Sequence, residues 1–240
     1  MSIERIGVVV PANNEQQCIL DCLEALAVAS ATVDLPVSSW VVLDDCSDAT
    51  AEVVAGAGAT LVLPVTSLSI RASSVGAARR AGMMAAIDAL GVGGTWLATT
   101  DADTIVPAHW FARQLSHAGA GAAAVVGTVS VDDWSERTVP VRARAEADYR
   151  GSDRRHVHGA NLSFRAESYL QVGGFSVVER NEDVALVAAL SQGGGAVVWA
   201  ADVTVSTSAR RVSRAPGGFA AYLDELDQAA PLPAAAAGGR

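Results

Sequence analysis

Short apolar runs rich in β-branched residues alternate along the chain with alanine-rich segments of helical length. The apolar runs predict strands and are IGVVVP (6–11), SWVVLD (39–44), TLVLP (60–64) and TWLATT (95–100), with a later one at 122–131. Helices are predicted between and after them, at 16–29, 48–57, 73–90 and 108–118. Continuous apolar strands separated by helices are typical of an α/β fold with a central, mostly parallel sheet covered on both faces.

Polar clusters follow three of the predicted strands. PANNE follows the first strand, DDCSD the second and DADT the fourth. Ligands of such sheets bind beyond the carboxyl ends of the strands. We therefore expect these clusters, although far apart in sequence, to meet at one edge of the sheet.

The DADT cluster places Asp101 and Asp103 on either side of one alanine, directly after a buried run. In an extended chain, side chains two residues apart project to the same side, so the two carboxylates would share one small space. The stretch 95–107 contains no lysine or arginine. The compensating cation must come from elsewhere in the fold or from solution, unless the two aspartates are simply solvated in a turn.

Composition narrows the class of protein. The chain has 240 residues, half of them apolar, which suits one large α/β domain or two small ones. Its net charge of −9 argues against a broad basic surface for nucleic acid, and all 17 basic residues are arginine, which excludes lysine-dependent mechanisms. The three cysteines suit reduced thiols. No apolar segment approaches the ~20 residues that span a bilayer, so we expect a cytoplasmic protein. Such a protein can still contact a membrane surface to meet a lipid substrate.

The segment 135–155 is rich in arginine interleaved with acidic residues. It contains Arg137, Arg142, Arg144, Arg150, Arg154 and Arg155. One interpretation is a solvated helix face with spaced ion pairs such as Arg142 with Glu146; the other is a site for an anionic acceptor. Residues 223–240, with small residues and little to bury, predict a flexible C-terminal tail. No feature of the sequence specifies an oligomeric state.

Taken in order, the motifs resemble those of the family 2 glycosyltransferases, which have the GT-A fold. The resemblance covers about residues 3–212 and rests on VVVPANNE, VVLDDCSDAT, GAARRAG, TTDADT, GANLSFR with VGGF, and NEDVAL. It implies one GT-A domain at 1–222, with a donor-binding half at about 1–130 and an acceptor half at about 131–222. DADTIV is also similar to the nucleophile motif of haloacid dehalogenase-like phosphatases, but those enzymes usually carry it after the first strand and use a later lysine.

The resemblance assigns the donor side of the site. Asp101 and Asp103, with Ala102 between them, look like the family's Asp-x-Asp motif, in which Mg²⁺ or Mn²⁺ bridges a protein carboxylate and the donor diphosphate. It implies Asp103 as the direct metal ligand, with Asp101 contacting the ribose or a metal-bound water.

The base pocket follows from the same resemblance. Pro11, Ala12, Asn13 and Glu15 would line it, Asp45 would accept a hydrogen bond from a base N–H, and Arg79 would approach the base or phosphates. Asn13 and Arg80 depart from the family pattern, which often has an aromatic residue and an asparagine there. For Ser47 and Asp48 we favour capping of the following helix.

The acceptor side is implied by the last two motifs. Asp183 resembles the catalytic base, held near a helix start where the backbone dipole favours a carboxylate; capping of that helix is the alternative. Glu182 would touch the acceptor or orient the loop, and Gly159 and Asn161 would lie near the donor sugar and acceptor. Many relatives complete the metal shell with a late histidine, yet none follows His158; Arg210 and Arg211 would meet the diphosphate instead.

These expectations define an inverting, metal-dependent glycosyltransferase that moves a sugar from a nucleotide diphosphate sugar to an acceptor hydroxyl. A UDP-sugar is favoured, with GDP-mannose second. The alternatives are a nucleotidyltransferase that forms nucleotide sugars, which should show a glycine-rich phosphate loop where this chain has PANNEQQ, and a non-catalytic sugar-nucleotide binding module.

Overall fold

The computed structural model describes residues 2–150, 156–177, 181–209 and 219–228, and only the backbone of 148–150 and 219–221. The chain divides into two compact units. The first contains the residues up to Asp132 together with His156–Ser208, and the second contains Asp133–Arg155 together with the chain from Ala209 onward. The residues predicted to bind the donor and the acceptor lie in the first unit, except Arg210 and Arg211, which belong to the second.

The secondary structure alternates as the apolar pattern predicts over the first half of the chain. The strands are β1 (Arg5–Ala12), β2 (Val37–Asp44), β3 (Val65–Ile70), β4 (Thr95–Thr99), β5 (Thr104–Ile105), β6 (Ala124–Ser130), β7 (Leu162–Arg165) and β8 (Val197–Thr207). The helices are α1 (Ile19–Ser30), α2 (Thr50–Thr60), α3 (Val75–Leu90), α4 (Trp110–Gly119), α5 (Val139–Arg150), α6 (Ala166–Gln171), α7 (Glu182–Gln192) and α8 (Phe219–Gln228).

The strands form one mixed sheet in the order β3-β2-β1-β4-β7-β6-β8-β5. β1 to β4 run parallel, β7 is antiparallel to β4 and β6, and β8 runs parallel to β6. Val9 of β1 lies between Trp40 of β2 and Thr99 of β4, so the carboxyl ends of these three strands share one edge. The predicted α/β fold is confirmed, and the three polar clusters, which follow the first, second and fourth strands, begin at that edge.

Successive residues of the central strands pack on opposite faces of the sheet, as the two-residue strand period requires. Val8 and Val10 join α1 in one buried cluster, whereas Val9 packs with α3 in the other. Gly82 of α3 is needed for close approach, because a Cβ there would overlap the Val9 side chain. This contact fixes α3 over the strand ends that carry the polar clusters.

The third strand differs from the prediction. TLVLP at 60–64 forms the end of α2 and a loop, and the strand follows at Val65–Ile70. β3 pairs only with β2 and lies at an edge of the sheet, so its sequence alternates exposed serines with half-buried apolar residues. A template of continuous apolar residues detects strands buried on both faces and misses this one.

The second unit contains α5 and α8. Arg137 forms an ion pair with Asp224 of α8, and the guanidinium of Arg144 donates to the carbonyl oxygen of Leu226 at 2.5 Å. Leu223 is fully buried, so α8 continues through positions that the sequence predicts to be a flexible tail. The rest of the predicted tail, 229–240, lies outside the described residues.

Candidate active site

Asp44 and Asp45 lie at the carboxyl end of β2, but their carboxylates have different surroundings. The carboxylate of Asp44, a residue only 5% exposed, accepts hydrogen bonds from three successive backbone N–H groups, those of residues 72–74, at 2.8–3.1 Å. Asp45 is exposed, and its φ of 55° places it in the left-handed region that non-glycine residues rarely adopt. Asp45 is therefore the carboxylate of this pair that a ligand can reach.

The segment after β1 is tied to the loop after β2. The Asn13 amide donates to the Asp44 carbonyl oxygen at 2.7 Å, and the Asn14 side-chain oxygen accepts from the backbone N–H groups of Ser47 and Asp48 at 2.8 and 3.2 Å. Asp48 accepts from the N–H of Thr50, the first residue of α2, at 3.0 Å, but the N-cap residue of that helix is Ala49 and not Ser47 or Asp48. These bonds hold the two predicted base-pocket segments together.

The remaining residues predicted to line the base pocket are less accessible. Ala12 and Glu15 are buried, whereas Pro11 and Asn13 are partly exposed. The Glu15 backbone N–H donates to the Thr50 hydroxyl at 2.8 Å. Pro11 and Asn13 are thus the members of this set that can offer side-chain surface to a ligand.

The Asp101–Asp103 segment connects β4 to β5 and is fixed at both ends. β5 pairs antiparallel with the end of β8, and the Thr104 hydroxyl donates to the Thr207 hydroxyl at 3.1 Å. Ala102 is buried, whereas the Asp101 side chain is 35% exposed and Asp103 is partly exposed. Both carboxylates can therefore contact a ligand, while Arg210 and Arg211, which follow β8 in sequence, lie outside the described residues.

The donor atoms of this segment suit a hard divalent cation. In the described part of the chain, no three His, Cys, Asp or Glu side chains are grouped to hold a metal ion. The two carboxylates of this segment match the one or two that Mg²⁺ usually takes from a protein when phosphates and water complete its shell. Cys22 lies nearby, but burial and then Asp103 and Asp101 raise the pKa of its thiol, which donates to the Asp101 carbonyl oxygen at 3.4 Å. A protonated thiol leaves an all-oxygen set.

Arg79 lies between the two acidic motifs. Its guanidinium donates from one terminal nitrogen to Asp101 Oδ1 at 2.5 Å and from the other to Glu182 Oε1. Burial alone would lower the pKa of Arg79, but Asp101 and Glu182 together raise it, so the buried cation is retained. The resemblance implied that Arg79 approaches the base or phosphates; the structure instead places it as a bridge between carboxylates.

Glycines allow the segments around Arg79 to approach closely. A Cβ on Gly159 would overlap the Arg79 guanidinium, and a Cβ on Gly76 would lie 2.8 Å from the Ser176 carbonyl oxygen and 3.1 Å from the Glu182 side chain. The Phe175 ring covers the guanidinium, with 6.0 Å between Cζ and the ring centroid. Three of the sequence motifs therefore pack around one cation.

Asp183 is the more accessible residue of the acidic pair that starts α7. One carboxylate oxygen accepts from the Gly159 N–H at 2.8 Å, and the other accepts from the Val184 N–H at 2.8 Å. Glu182 is only 4% exposed, and burial raises its pKa while Arg79 opposes that effect. Glu182 is thus held inside the protein by Arg79, and Asp183 is the more accessible carboxylate of the pair.

His158 precedes Gly159 and lies close to Asp183. Burial lowers the pKa of its imidazole to about 4, although Asp183 acts in the opposite direction. The imidazole is therefore neutral near pH 7. It stacks with His156 at a centroid distance of 6.1 Å.

Asn161, which is predicted to lie near the donor sugar and acceptor, is buried and makes its side-chain hydrogen bonds within the protein. It is 1% exposed, and its amide nitrogen donates to the carbonyl oxygens of Thr128 and Val203 at 2.7 and 2.9 Å. Its side-chain oxygen accepts from the Trp110 indole N–H at 2.9 Å. These contacts account for Asn161 without a ligand.

The arginine-rich segment also has internal partners where it is described. Arg142 pairs with Glu146 at 2.7 Å, one helical turn away, as the ion-pair interpretation predicts. Arg137 and Arg144 contact α8, and residues 151–155, with Arg154 and Arg155, lie outside the described part. The contacts favour a structural interpretation over an acceptor site for these three arginines.

Two contributors were not predicted from the sequence. Asp44 binds the chain at 72–74, and Arg80 donates to the carbonyl oxygens of Gly173 and Phe175 at 2.7 and 2.9 Å. The doubled letters in DDCSD and GAARRAG were the available signal, since a second residue of the same type beside a candidate site residue can bind a neighbouring loop.

The mixed sheet with a buried cluster on each face is the GT-A fold of glycosyltransferases. The chain belongs to glycosyl transferase family 2, whose family description matches residues 7–173.

Solved structures of glycosyltransferases share the fold. The mannosyltransferase PcManGT from Pyrobaculum calidifontis, in complex with GDP-Man and Mn²⁺, has a TM-score of 0.67 and 18% identity, with 95% of this chain and 71% of that chain covered. S. aureus TarS 1-349, in complex with UDP-GlcNAc, has a TM-score of 0.66 and 14% identity, with coverages of 90% and 61%. The chain thus spans about three fifths of TarS 1-349.

No curated protein matches the chain. Within the described residues, no helix combines the length and the apolar character needed to cross a membrane.

Proposed function

We propose that this glycosyltransferase moves a sugar from a nucleotide diphosphate sugar to an acceptor hydroxyl, with inversion at the anomeric carbon. The observation that carries the proposal is the convergence of the Asp101–Asp103 and Glu182–Asp183 motifs, which are distant in sequence but joined through Arg79. One motif offers oxygen ligands for the leaving diphosphate side and the other a carboxylate for the incoming hydroxyl. Direct displacement requires these two functions at opposite ends of one reacting centre.

On the donor side, Asp45 accepts a hydrogen bond from a base N–H such as uracil N3, with Pro11 and Asn13 beside it. A UDP-sugar is the favoured donor and GDP-mannose the second. The structures of TarS with UDP-GlcNAc and of PcManGT with GDP-Man support this choice of donor class.

A divalent cation, Mg²⁺ or Mn²⁺, is held by Asp103 with a contribution from Asp101. The all-oxygen donor set and the partly exposed carboxylates fit such an ion, and PcManGT was solved with Mn²⁺. When bound, the cation neutralises the diphosphate and stabilises the charge that develops as it leaves.

In the transfer step, Asp183 accepts the proton of the acceptor hydroxyl. The hydroxyl oxygen forms a bond to the anomeric carbon while the bond from that carbon to the diphosphate oxygen breaks. The two backbone N–H groups bonded to Asp183 hold its carboxylate in one orientation. The neutral His158 adds no positive charge that would compete with Arg79 for the acidic groups.

Asp183→Asn tests this assignment because it keeps the shape of the side chain and removes the base. A general base typically contributes ~10² to 10⁴ in rate, so transfer is expected to fall at least about a hundredfold while nucleotide affinity is kept. Asp88→Asn is the control, since Asp88 is an exposed carboxylate on α3 about 13 Å along the helix from Arg79. Proton NMR of the product should show the anomeric configuration inverted relative to the donor. Retention, or parental transfer by Asp183→Asn, would exclude Asp183 as an inverting base.

A further inference from the structure

Helix α3 presents two adjacent arginines to the acceptor side of the site. Arg79 contacts Glu182, and Arg80 contacts the carbonyl oxygens of Gly173 and Phe175. Gly173 and Phe175 follow α6, and Glu182 is the first residue of α7. Side chains on α3 therefore bind the chain after α6 and the residue that precedes Asp183.

The link from Arg79 to Asp183 has two branches. The first runs through Glu182, the residue before Asp183, whose side chain is buried against Gly76. The second runs through Gly159, which lies against the guanidinium and whose N–H donates to Asp183 Oδ2 at 2.8 Å. A movement of the guanidinium would displace both the backbone and the hydrogen-bond donor that orient the Asp183 carboxylate.

Asp101 connects the same cation to the donor side. Its Oδ1 accepts from Arg79 at 2.5 Å, and the Asp101 side chain is partly exposed. One buried guanidinium thus contacts both acidic motifs, and each contact is a charge-assisted hydrogen bond of the stronger kind.

We propose that Arg79 and Glu182 are positioning residues that act through Asp183, setting the carboxylate of the base against the donor-side aspartates. This inference rests on the proposed function, because it assigns the base role to Asp183. It also means that Arg79 contributes to the rate of transfer and not to the affinity for the nucleotide.

Glu182→Gln is the primary test, since it keeps the size of the side chain and leaves Asp101 to compensate Arg79. We expect kcat for transfer to fall about tenfold or more, with the donor KM and the Kd of the nucleotide in manganese within about twofold of the parent. Arg79→Lys keeps one positive charge but cannot reach both carboxylates with a fork of two donors. It should likewise lower kcat for transfer while the donor KM and the Kd of the nucleotide stay close to those of the parent. The exposed Arg113→Gln serves as the matched control for loss of an arginine.

A double-mutant cycle separates positioning from a merely structural role. If Glu182 acts through Asp183, adding Glu182→Gln to Asp183→Asn should cause no further loss of transfer. A further tenfold loss in that background, or a weakened nucleotide Kd with unchanged kcat, would overturn the proposal. Should Arg79→Lys fail to fold, the cycle with Glu182→Gln still decides the question.

Measurements on the parent enzyme separate the proposed transfer activity from the positioning role of Arg79 and Glu182. Absence of transfer by the parent with every UDP-sugar and GDP-sugar would contradict the proposed function. Transfer by the parent together with an unchanged kcat for Glu182→Gln would contradict the positioning role alone.

Discussion

The acidic pair at the end of β2 and the acidic pair at the start of α7 follow the same arrangement with different partners. In each pair the first residue, Asp44 or Glu182, is buried and fully engaged by the protein, and the second, Asp45 or Asp183, remains accessible. In each case a residue with positive φ lies at the pair, with φ of 55° at Asp45 and 60° at Asn181. The buried member fixes the backbone from which its neighbour projects.

The two buried carboxylates, Asp44 and Glu182, differ in which parts of the protein their hydrogen-bond partners connect. Asp44 is bound by three backbone N–H groups from the loop 72–74, so it stabilises the adjacent strand ends. Glu182 is bound by Arg79, a side chain that also contacts Asp101. The first arrangement fixes one loop, whereas the second couples the donor-side and acceptor-side motifs. Loss of Asp44 should therefore affect folding most, and loss of Glu182 should affect transfer most.

The largest effect on stability is expected for Asp44→Asn. The amide keeps one acceptor oxygen but loses the charge that strengthens the three hydrogen bonds, so the free energy of unfolding should fall by about 2 to 3 kcal/mol. Urea unfolding measures this change. Asp45→Asn is the matched control and should lie within about 0.5 kcal/mol of the parent. A greater loss for Asp45→Asn than for Asp44→Asn would reverse the comparison.

A smaller effect on stability is expected from His158 at acid pH. Its folded pKa of about 4 lies below the ordinary value of 6.5, so between these values the unfolded chain binds the proton and the folded protein does not. Stability from this group is present above about pH 6.5 and is lost as the pH falls towards 4, by about 2 kcal/mol at pH 5. Urea unfolding of the parent and of His158→Gln at pH 8 and pH 5 measures it. Equal losses in the two proteins would show that His158 does not titrate as described.

The smallest effect concerns the donor side. Asp103→Ala removes the proposed principal metal ligand, so the affinity for nucleotide in manganese should fall about tenfold, equivalent to about 1.4 kcal/mol. In chelator, parent and variant should bind nucleotide equally weakly. Calorimetry measures the nucleotide affinity of the parent and of Asp103→Ala, each in manganese and in chelator. Equal affinity in all four measurements would show that nucleotide binding does not depend on a metal ion.

The sequence predicted the parts of the fold that depend on local pattern. The parallel strands β1, β2 and β4 are buried on both faces, and their continuous apolar runs identified them. β3 was placed five residues early because an edge strand alternates. The strand β7, which runs antiparallel to β4 and β6, interrupts the βα pattern, and neither β7 nor β8 was predicted.

The site was predicted to the level of its motifs and not of its contacts. Asp45, Asp101 and Asp103 follow β2 and β4 at the expected edge, since parallel strands bring their carboxyl ends together whatever the loops contain, whereas Asp183 lies in the first turn of α7. The bridging position of Arg79 depends on Gly76 and Gly159 allowing close approach between three segments. The buried bonding of Asn161 likewise depends on three segments distant in sequence. Neither arrangement is encoded in local spacing.

The central claim is that the edge carrying Asp45, Asp103 and Asp183 binds a nucleotide diphosphate sugar with a divalent cation. The most direct measurement is the unfolding temperature of the parent with a panel of UDP-sugars and GDP-sugars, in manganese and in chelator. A ligand that binds only the folded state raises this temperature by mass action. We predict a rise with a UDP-sugar in manganese that disappears in chelator and is reduced in Asp45→Asn and Asp103→Ala. No rise with any nucleotide sugar in manganese, at concentrations up to the millimolar range, would contradict the account.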